Sequence, residues 1–166
     1  SKLFNIQLAE KGAVWLDLKS KATPGHGSTP PVSYAAKAMV DFLTEVQTIA
    51  AKTQIDDQAA AFFSSLSDVL PFPQSFALKR SRHPAVFPLI KKRINLRRKL
   101  IAMTRNTVSI TGIDSHPMGI NVITSETTGS LDMRILPGVD EKAMVEKVKQ
   151  IGAKYGVEVT ARHMEP

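Results

Sequence analysis

The chain has no cysteine, which excludes disulfide staples and thiol nucleophiles. No stretch approaches the roughly 18 consecutive apolar residues of a membrane span, and the opening Ser1-Lys2-Leu3-Phe4 lacks the build of a signal peptide. Catalytic signatures are equally scarce. The four imidazoles, His26, His83, His116 and His163, form no H-x-x-x-H or H-x-D pair. There is no G-x-S-x-G, S-x-x-K, P-loop or G-x-G-x-x-G. Asp114-x-His116 is the one metal-ligand candidate, and it sits among turn formers, where Asp serves its own backbone. Alone, the chain lacks the parts for catalysis.

Acidic residues are missing altogether from 69–113, where ten bases run from Lys79 to Arg105. They account for the net charge of +7, because the rest of the chain carries a balance of −3. Such a block is a solvated face or a subunit contact more often than a binding site. A non-enzymatic module that docks RNA, an acidic protein or a lipid surface through segment 79–105 is the alternative. Only Phe76 and Phe87 interleave with those bases, which gives little support for base stacking and weighs against a nucleic-acid partner.

What is present reads as one compact domain of 166 residues. Its start without Met and its stop just after a strand-like run are what a segment of a longer protein would show. Leu16, Leu18, Ser20 and Ala22 alternate with Trp15, Asp17, Lys19 and Lys21, the two-residue period of a half-buried strand. A loop rich in Gly and Pro follows over 23–31. Ser33 is the expected cap of a helix running to about Lys52, with Ala35, Ala38, Met39, Phe42, Leu43 and Val46 on its apolar stripe. Residues 53–95 read as an insertion, helical from Asp56 to Leu70 and then broken by prolines.

Alternation from Leu100 and the β-branched run after Thr107 predict a long strand over 98–113, with a bend near Asn106. Ile120 to Ile123 predicts a short strand. The next strand carries Leu131, Met133 and Ile135 inward and Ser130, Asp132 and Arg134 outward. Asp140 caps a second helix that ends at Gly156, and Val157, Val159 and Ala161 face one way in a last strand. The order predicts an α+β fold. It is a split βαβ, ferredoxin-like βαββαβ sandwich, with two helices on one face of a mostly antiparallel four-stranded sheet.

Two places look shaped for a ligand. His26 lies between Gly25 and Gly27, just past a strand end and just before a helix, which exposes an imidazole on a permissive backbone; the residues alone favour a plain glycine-rich turn that happens to contain a histidine. Arg134 offers a planar fork for a carboxylate, and Asn121 both a donor and an acceptor. Spacing alone favours a surface pair of Arg134 with Asp132 or Glu126, worth little.

Gly25-His26-Gly27-Ser28-Thr29-Pro30 resembles a G-H-x-x-x-P loop, Asn121-Val122-Ile123 an N-V-I-P motif, and Asp132 to Gly138 a D-x-R-x-x-P-G strand end. Together, in this order, they resemble the dimerisation, or lid, domain of the zinc-dependent metallopeptidases and amidohydrolases. That family includes aminoacylase, carboxypeptidase S, glutamate carboxypeptidase and succinyl-diaminopimelate desuccinylase. The resemblance covers most of residues 10–165. Thr124 departs from the family's Pro, and the long segment 53–95 is closer to the carboxypeptidase S or aminoacylase branch.

The resemblance implies a homodimer formed through this domain and a separate catalytic domain that holds two zinc ions and the general base. It implies a small peptide or N-acyl amino acid as substrate. By match, His26 reaches the neighbouring subunit's active site, where an imidazole N–H stabilises the oxyanion formed in amide hydrolysis. Asn121 and Arg134 hold the substrate's carboxylate or acyl end. This domain itself holds no metal, and the isolated segment is expected to be inactive.

Overall fold

The computed structural model describes residues 11–50 and 52–162; His163 and the opening Ser1-Lys2-Leu3-Phe4 lie outside the described residues. They divide into two compact units, 12–50 with 107–162, and 52–106 with Lys11.

The first unit holds the strands. β1 (Gly12–Lys21) is followed by the two-residue β2 (Gly25–His26) and by α1 (Ala35–Ile49). After the second unit come β3 (Thr107–Asp114), the short β4 (Val122–Ile123), β5 (Glu126–Ile135), α6 (Glu141–Tyr155) and β6 (Val157–Ala161). The four long strands form one antiparallel sheet in the order β3-β5-β1-β6, and β2 pairs with β4 in a separate ribbon. The expected α+β, split βαβ arrangement is the observed one.

Alternation sets which face is covered. Leu16, Leu18 and Ser20 of β1 and Leu131, Met133 and Ile135 of β5 are buried. The five apolar ones pack with Met39, Phe42, Leu43 and Val46 of α1 and Met144 and Val148 of α6. Each such side chain contributes about 1.5–3 kcal/mol by leaving water. Val157 of β6 joins the same core. Thr111 is an extra residue in β3, between Ile110 opposite Leu131 and Gly112 opposite Ser130, so the strand is bulged there.

The cap of α1 differs from expectation. The chain stays extended through Tyr34, which occupies the N-cap with no side-chain bond, so Ser33 lies one residue too early to serve. The helix stops at Ile49 rather than Lys52. Asp140 does cap α6, its carboxylate accepting from Ala143 N–H at 3.1 Å, and Gly156 ends that helix in the left-handed region at φ 69°.

The second unit is helical: α2 (Asp57–Ser67), α3 (Gln74–Lys79), α4 (Phe87–Ile94) and α5 (Arg98–Thr104). Asp56 caps α2 through Ala59 N–H at 2.7 Å. Ala59, Phe63, Ile90 and Ile94 form its buried core, joined by Leu100 and Ile101. Here the long strand expected over 98–113 is corrected: residues 98–104 are helix, and strand begins only at Thr107. Leu100, Ala102 and Met103 are good helix formers, and the buried Thr104 hydroxyl donates to Leu100 C=O at 2.7 Å, a bond only a helix brings into reach. The expected strand Ile120 to Ile123 is likewise shorter, confined to Val122–Ile123.

Candidate functional site

His26 and Asn121 are brought together by the β2–β4 ribbon. Gly25 pairs with Ile123 and His26 with Val122, and Gly27 N–H donates to Asn121 C=O at 2.8 Å. A side chain at position 25 would meet Pro31 Cδ at 2.8 Å, so glycine there lets the Pro-rich loop close on the ribbon. Thr29 N–H returns to His26 C=O at 3.0 Å, which fixes the backbone on both sides of the imidazole.

The His26 ring is exposed, yet it is held at both nitrogens. Nδ1 lies 2.8 Å from Ser28 Oγ and accepts the Ser28 backbone N–H at 3.3 Å. Nε2 lies 2.9 Å from the Asn121 side-chain Nδ2. The other imidazoles within the described residues are held differently. His83 accepts only the Ala85 backbone N–H at its Nδ1, and His116 Nε2 lies 2.9 Å from Asp114 Oδ2.

Arg134 stands apart from this pair. It lies opposite Ala13 at the start of β1, whereas Glu126, the residue of β5 closest in sequence to Asn121, lies opposite Lys21 at the other end. Eight residues of extended strand separate the two ends, about 26 Å at 3.3 Å per residue. Arg134 Nη2 donates to Asp132 Oδ2 at 2.9 Å, and Nε lies 2.8 Å from Oδ1. Those contacts hold the guanidinium pKa above its ordinary value. The partner is Asp132; Glu126 instead meets Lys19 at 2.9 Å, and that bond lowers its pKa.

Asp114 and His116 form a turn, with His116 N–H donating to Asp114 Oδ1 at 3.1 Å and both side chains exposed. Among the described residues no group of three or more His, Asp or Glu could hold a metal ion. Nor is any described helix long and apolar enough to cross a membrane. A broad depression on the uncovered sheet face is lined by Asp17, Lys19, Thr128, Ser130 and Arg162, and neither His26, Asn121 nor Arg134 borders it.

Within the helical unit, four of the bases whose side chains are described are engaged internally. Lys79 pairs with Asp68 at 3.1 Å, Arg82 with Asp57 at 2.7 Å, Arg105 donates to Thr53 Oγ1 at 2.9 Å, and Arg80 lies 4.2 Å over the Phe76 ring. Lys91, Lys92, Arg93, Arg97 and Lys99 are exposed.

The sequence pattern of the peptidase dimerisation domain family matches residues 8–160. The chain belongs to that family. Among solved structures, this peptidase dimerisation domain is similar to an amidase of the hydantoinase/carbamoylase family from Burkholderia phymatum. The TM-score is 0.51 at 13% identity, over 92% of this chain and 28% of that one. It is also similar to an M20 family metallo-carboxypeptidase from Sulfolobus solfataricus, with TM-score 0.51 and 17% identity over 92% of this chain and 37% of that one. These likenesses establish the fold, and the chain spans about a third of the length of either enzyme. No curated protein matches the chain.

The residue that sequence reasoning passed over is Ser28. It was read only as part of the loop motif, but its hydroxyl and backbone N–H both converge on His26 Nδ1. Its spacing of two from a histidine was the available signal.

Proposed function

We propose that this chain is the dimerisation and lid part of a two-zinc metallopeptidase or amidohydrolase that cleaves amide or peptide bonds in small carboxylate-bearing substrates. The zinc ions and the general base belong to a separate catalytic domain, and the isolated chain is inactive. Its contribution is the group that catalytic domain lacks. The observation that carries this reading is the exposed His26 imidazole, fixed by bonds at both ring nitrogens on a backbone pinned on either side. Such preorganisation in an exposed ring serves a ligand from outside the chain.

Hydrolysis of an amide places negative charge on the carbonyl oxygen. A fixed N–H aimed at that oxygen is worth more as charge develops than before, so it lowers the barrier rather than tightening substrate binding. His26 supplies that donor to the neighbouring subunit. Asn121, 2.9 Å away, travels with it and is presented to the same site. Arg134 lies at the far end of β5 from Glu126, the residue of that strand closest in sequence to Asn121, a separation of about 26 Å along the strand. We therefore assign Arg134 to a second site of the dimer, where its fork anchors the substrate carboxylate once Asp132 gives way.

The test is made in the full-length parent enzyme. His26→Ala lowers kcat on a small amide or dipeptide by about a hundredfold or more and leaves bound zinc unchanged. A normal kcat removes the role.

A further inference from the structure

We propose that Ser28 is a positioning residue that keeps the His26 ring proton on Nε2, so that the outward nitrogen is always the donor. This deepens the oxyanion role of His26 and rests on that reading for its catalytic meaning, though not for its structural content.

The argument turns on which groups near the ring have only one role. A backbone N–H can donate and nothing else, and that of Ser28 points at Nδ1 from 3.3 Å. Nδ1 must then present its lone pair, and a neutral imidazole with a lone pair on Nδ1 carries its proton on Nε2. The Ser28 hydroxyl, 2.8 Å from the same nitrogen, can either donate or accept; with Nδ1 an acceptor, it donates. Two donors from one residue therefore converge on one lone pair.

On the far side, Nε2 lies 2.9 Å from the Asn121 carboxamide nitrogen. With the ring proton on Nε2, two donors would face each other, and a half-turn of the carboxamide replaces Nδ2 by Oδ1 at the same place. Asn121 then accepts from Nε2–H in the free chain and gives that proton up to a stronger acceptor. An oxyanion is such an acceptor, because hydrogen bonds to charged groups are roughly twice as strong as neutral ones.

His83 provides the internal control. It has the backbone bond at i+2, 3.3 Å from Ala85 N–H, but residue 85 has no hydroxyl. The second donor is what distinguishes His26.

Nitrogen-15 NMR of the chain at alkaline pH reads the tautomer directly. We expect the His26 Nδ1 resonance in the unprotonated range, and the ratio of Nε2–H to Nδ1–H forms to fall by about fivefold in Ser28→Ala, the effect of losing one neutral hydrogen bond. Ser28→Thr, which keeps the hydroxyl, restores it, and the His83 signals stay unchanged in both variants. A majority Nδ1–H form in the unaltered chain overturns the proposal, as does an unchanged ratio in Ser28→Ala.

In the parent enzyme, Ser28→Ala lowers kcat by about threefold to tenfold with KM unchanged, and adds nothing when His26 is already Ala. If His26→Ala leaves kcat intact, the oxyanion reading fails while the NMR result still decides the tautomer. If His26→Ala is slow and the tautomer ignores Ser28, this inference alone fails.

Discussion

The Asn121 carboxamide lies 2.9 Å from His26 Nε2, on the nitrogen that faces away from Ser28. A neutral amide there is a partner the ring can leave. An Asp in its place offers an ionised acceptor that competes with the substrate's developing charge for the same N–H. In the parent enzyme, Asn121→Asp is therefore expected to lower kcat by at least about tenfold, and more than Asn121→Ala does. Steady-state kinetics on one small amide checks the order of the two variants; an Asp variant as active as the Ala variant contradicts it.

Arg134 makes a prediction of the opposite kinetic kind. Its guanidinium is engaged by Asp132 in the free chain, and an incoming carboxylate has to replace that partner. Arg134→Ala should raise KM about tenfold to a hundredfold for substrates with a free carboxylate, the range for a charged hydrogen bond, and change little for analogues without one. Equal losses on both substrate types would mean that the residue supports the strand rather than the ligand. Lys in its place should recover the charge but not the fork, and so restore KM only in part.

The four-stranded frame was legible because its strands alternate with a covered and an uncovered face. Leu131, Met133 and Ile135 announce their side of β5, and all three are buried. The end of α6 was legible for a local reason, since Gly156 adopts a positive φ that other residues resist. Residues 98–104 misled because Leu100, Ala102 and Thr104 satisfy a two-residue alternation by accident, whereas in the fold it is Leu100 and its neighbour Ile101 that pack on the cluster of Ala59, Phe63, Ile90 and Ile94, and Ala102 is exposed. The proximity of His26 to Asn121 was not legible from spacing, since they are 95 positions apart in the chain. The residues alone named them as parts of two separate places. The distance of Arg134 from that pair follows from register, which no single-strand pattern records.

Glu45 ties α1 to the end of α6. Its Oε2 accepts from Lys154 Nζ and from Tyr155 OH, each at 2.6 Å. The Lys154 bond, then the Tyr155 bond, hold the carboxyl below the ordinary glutamate value of 4.5. A carboxyl whose folded pKa is depressed stabilises the fold above its unfolded pKa, and that contribution fades as pH falls through the folded value. Glu45→Gln is accordingly expected to lower Tm of the chain at pH 7, with the gap to the unaltered chain closing progressively below about pH 4.5. Melting curves from pH 7 to about pH 3 check the sign; a gap that widens in acid contradicts it. High salt should narrow the gap at pH 7, because the ion pair is partly exposed at the surface and screened.

Gly152 poses a test in which helix propensity and packing oppose each other. Glycine inside α6 costs about 1 kcal/mol relative to alanine on propensity alone, so Gly152→Ala would be expected to stabilise an isolated helix. In the fold, a Cβ at this position would lie 2.5 Å from Val157 C=O and 2.8 Å from Val159 Cγ2. The nearer atom is backbone of β6, which is paired with β1 and cannot swing aside as a side-chain tip can. The added methyl must push α6 off the strand that follows it, and overpacking of this kind costs about 1–3 kcal/mol, more than the propensity returns. Gly152→Ala should therefore lower Tm by about 2–8 °C, while Gln150→Ala, exposed on the same helix, moves stability by less than about 0.5 kcal/mol. A Gly152→Ala chain as stable as the parent would mean that β6 yields, and that the contact between α6 and β6 is looser than the 2.5 Å approach requires.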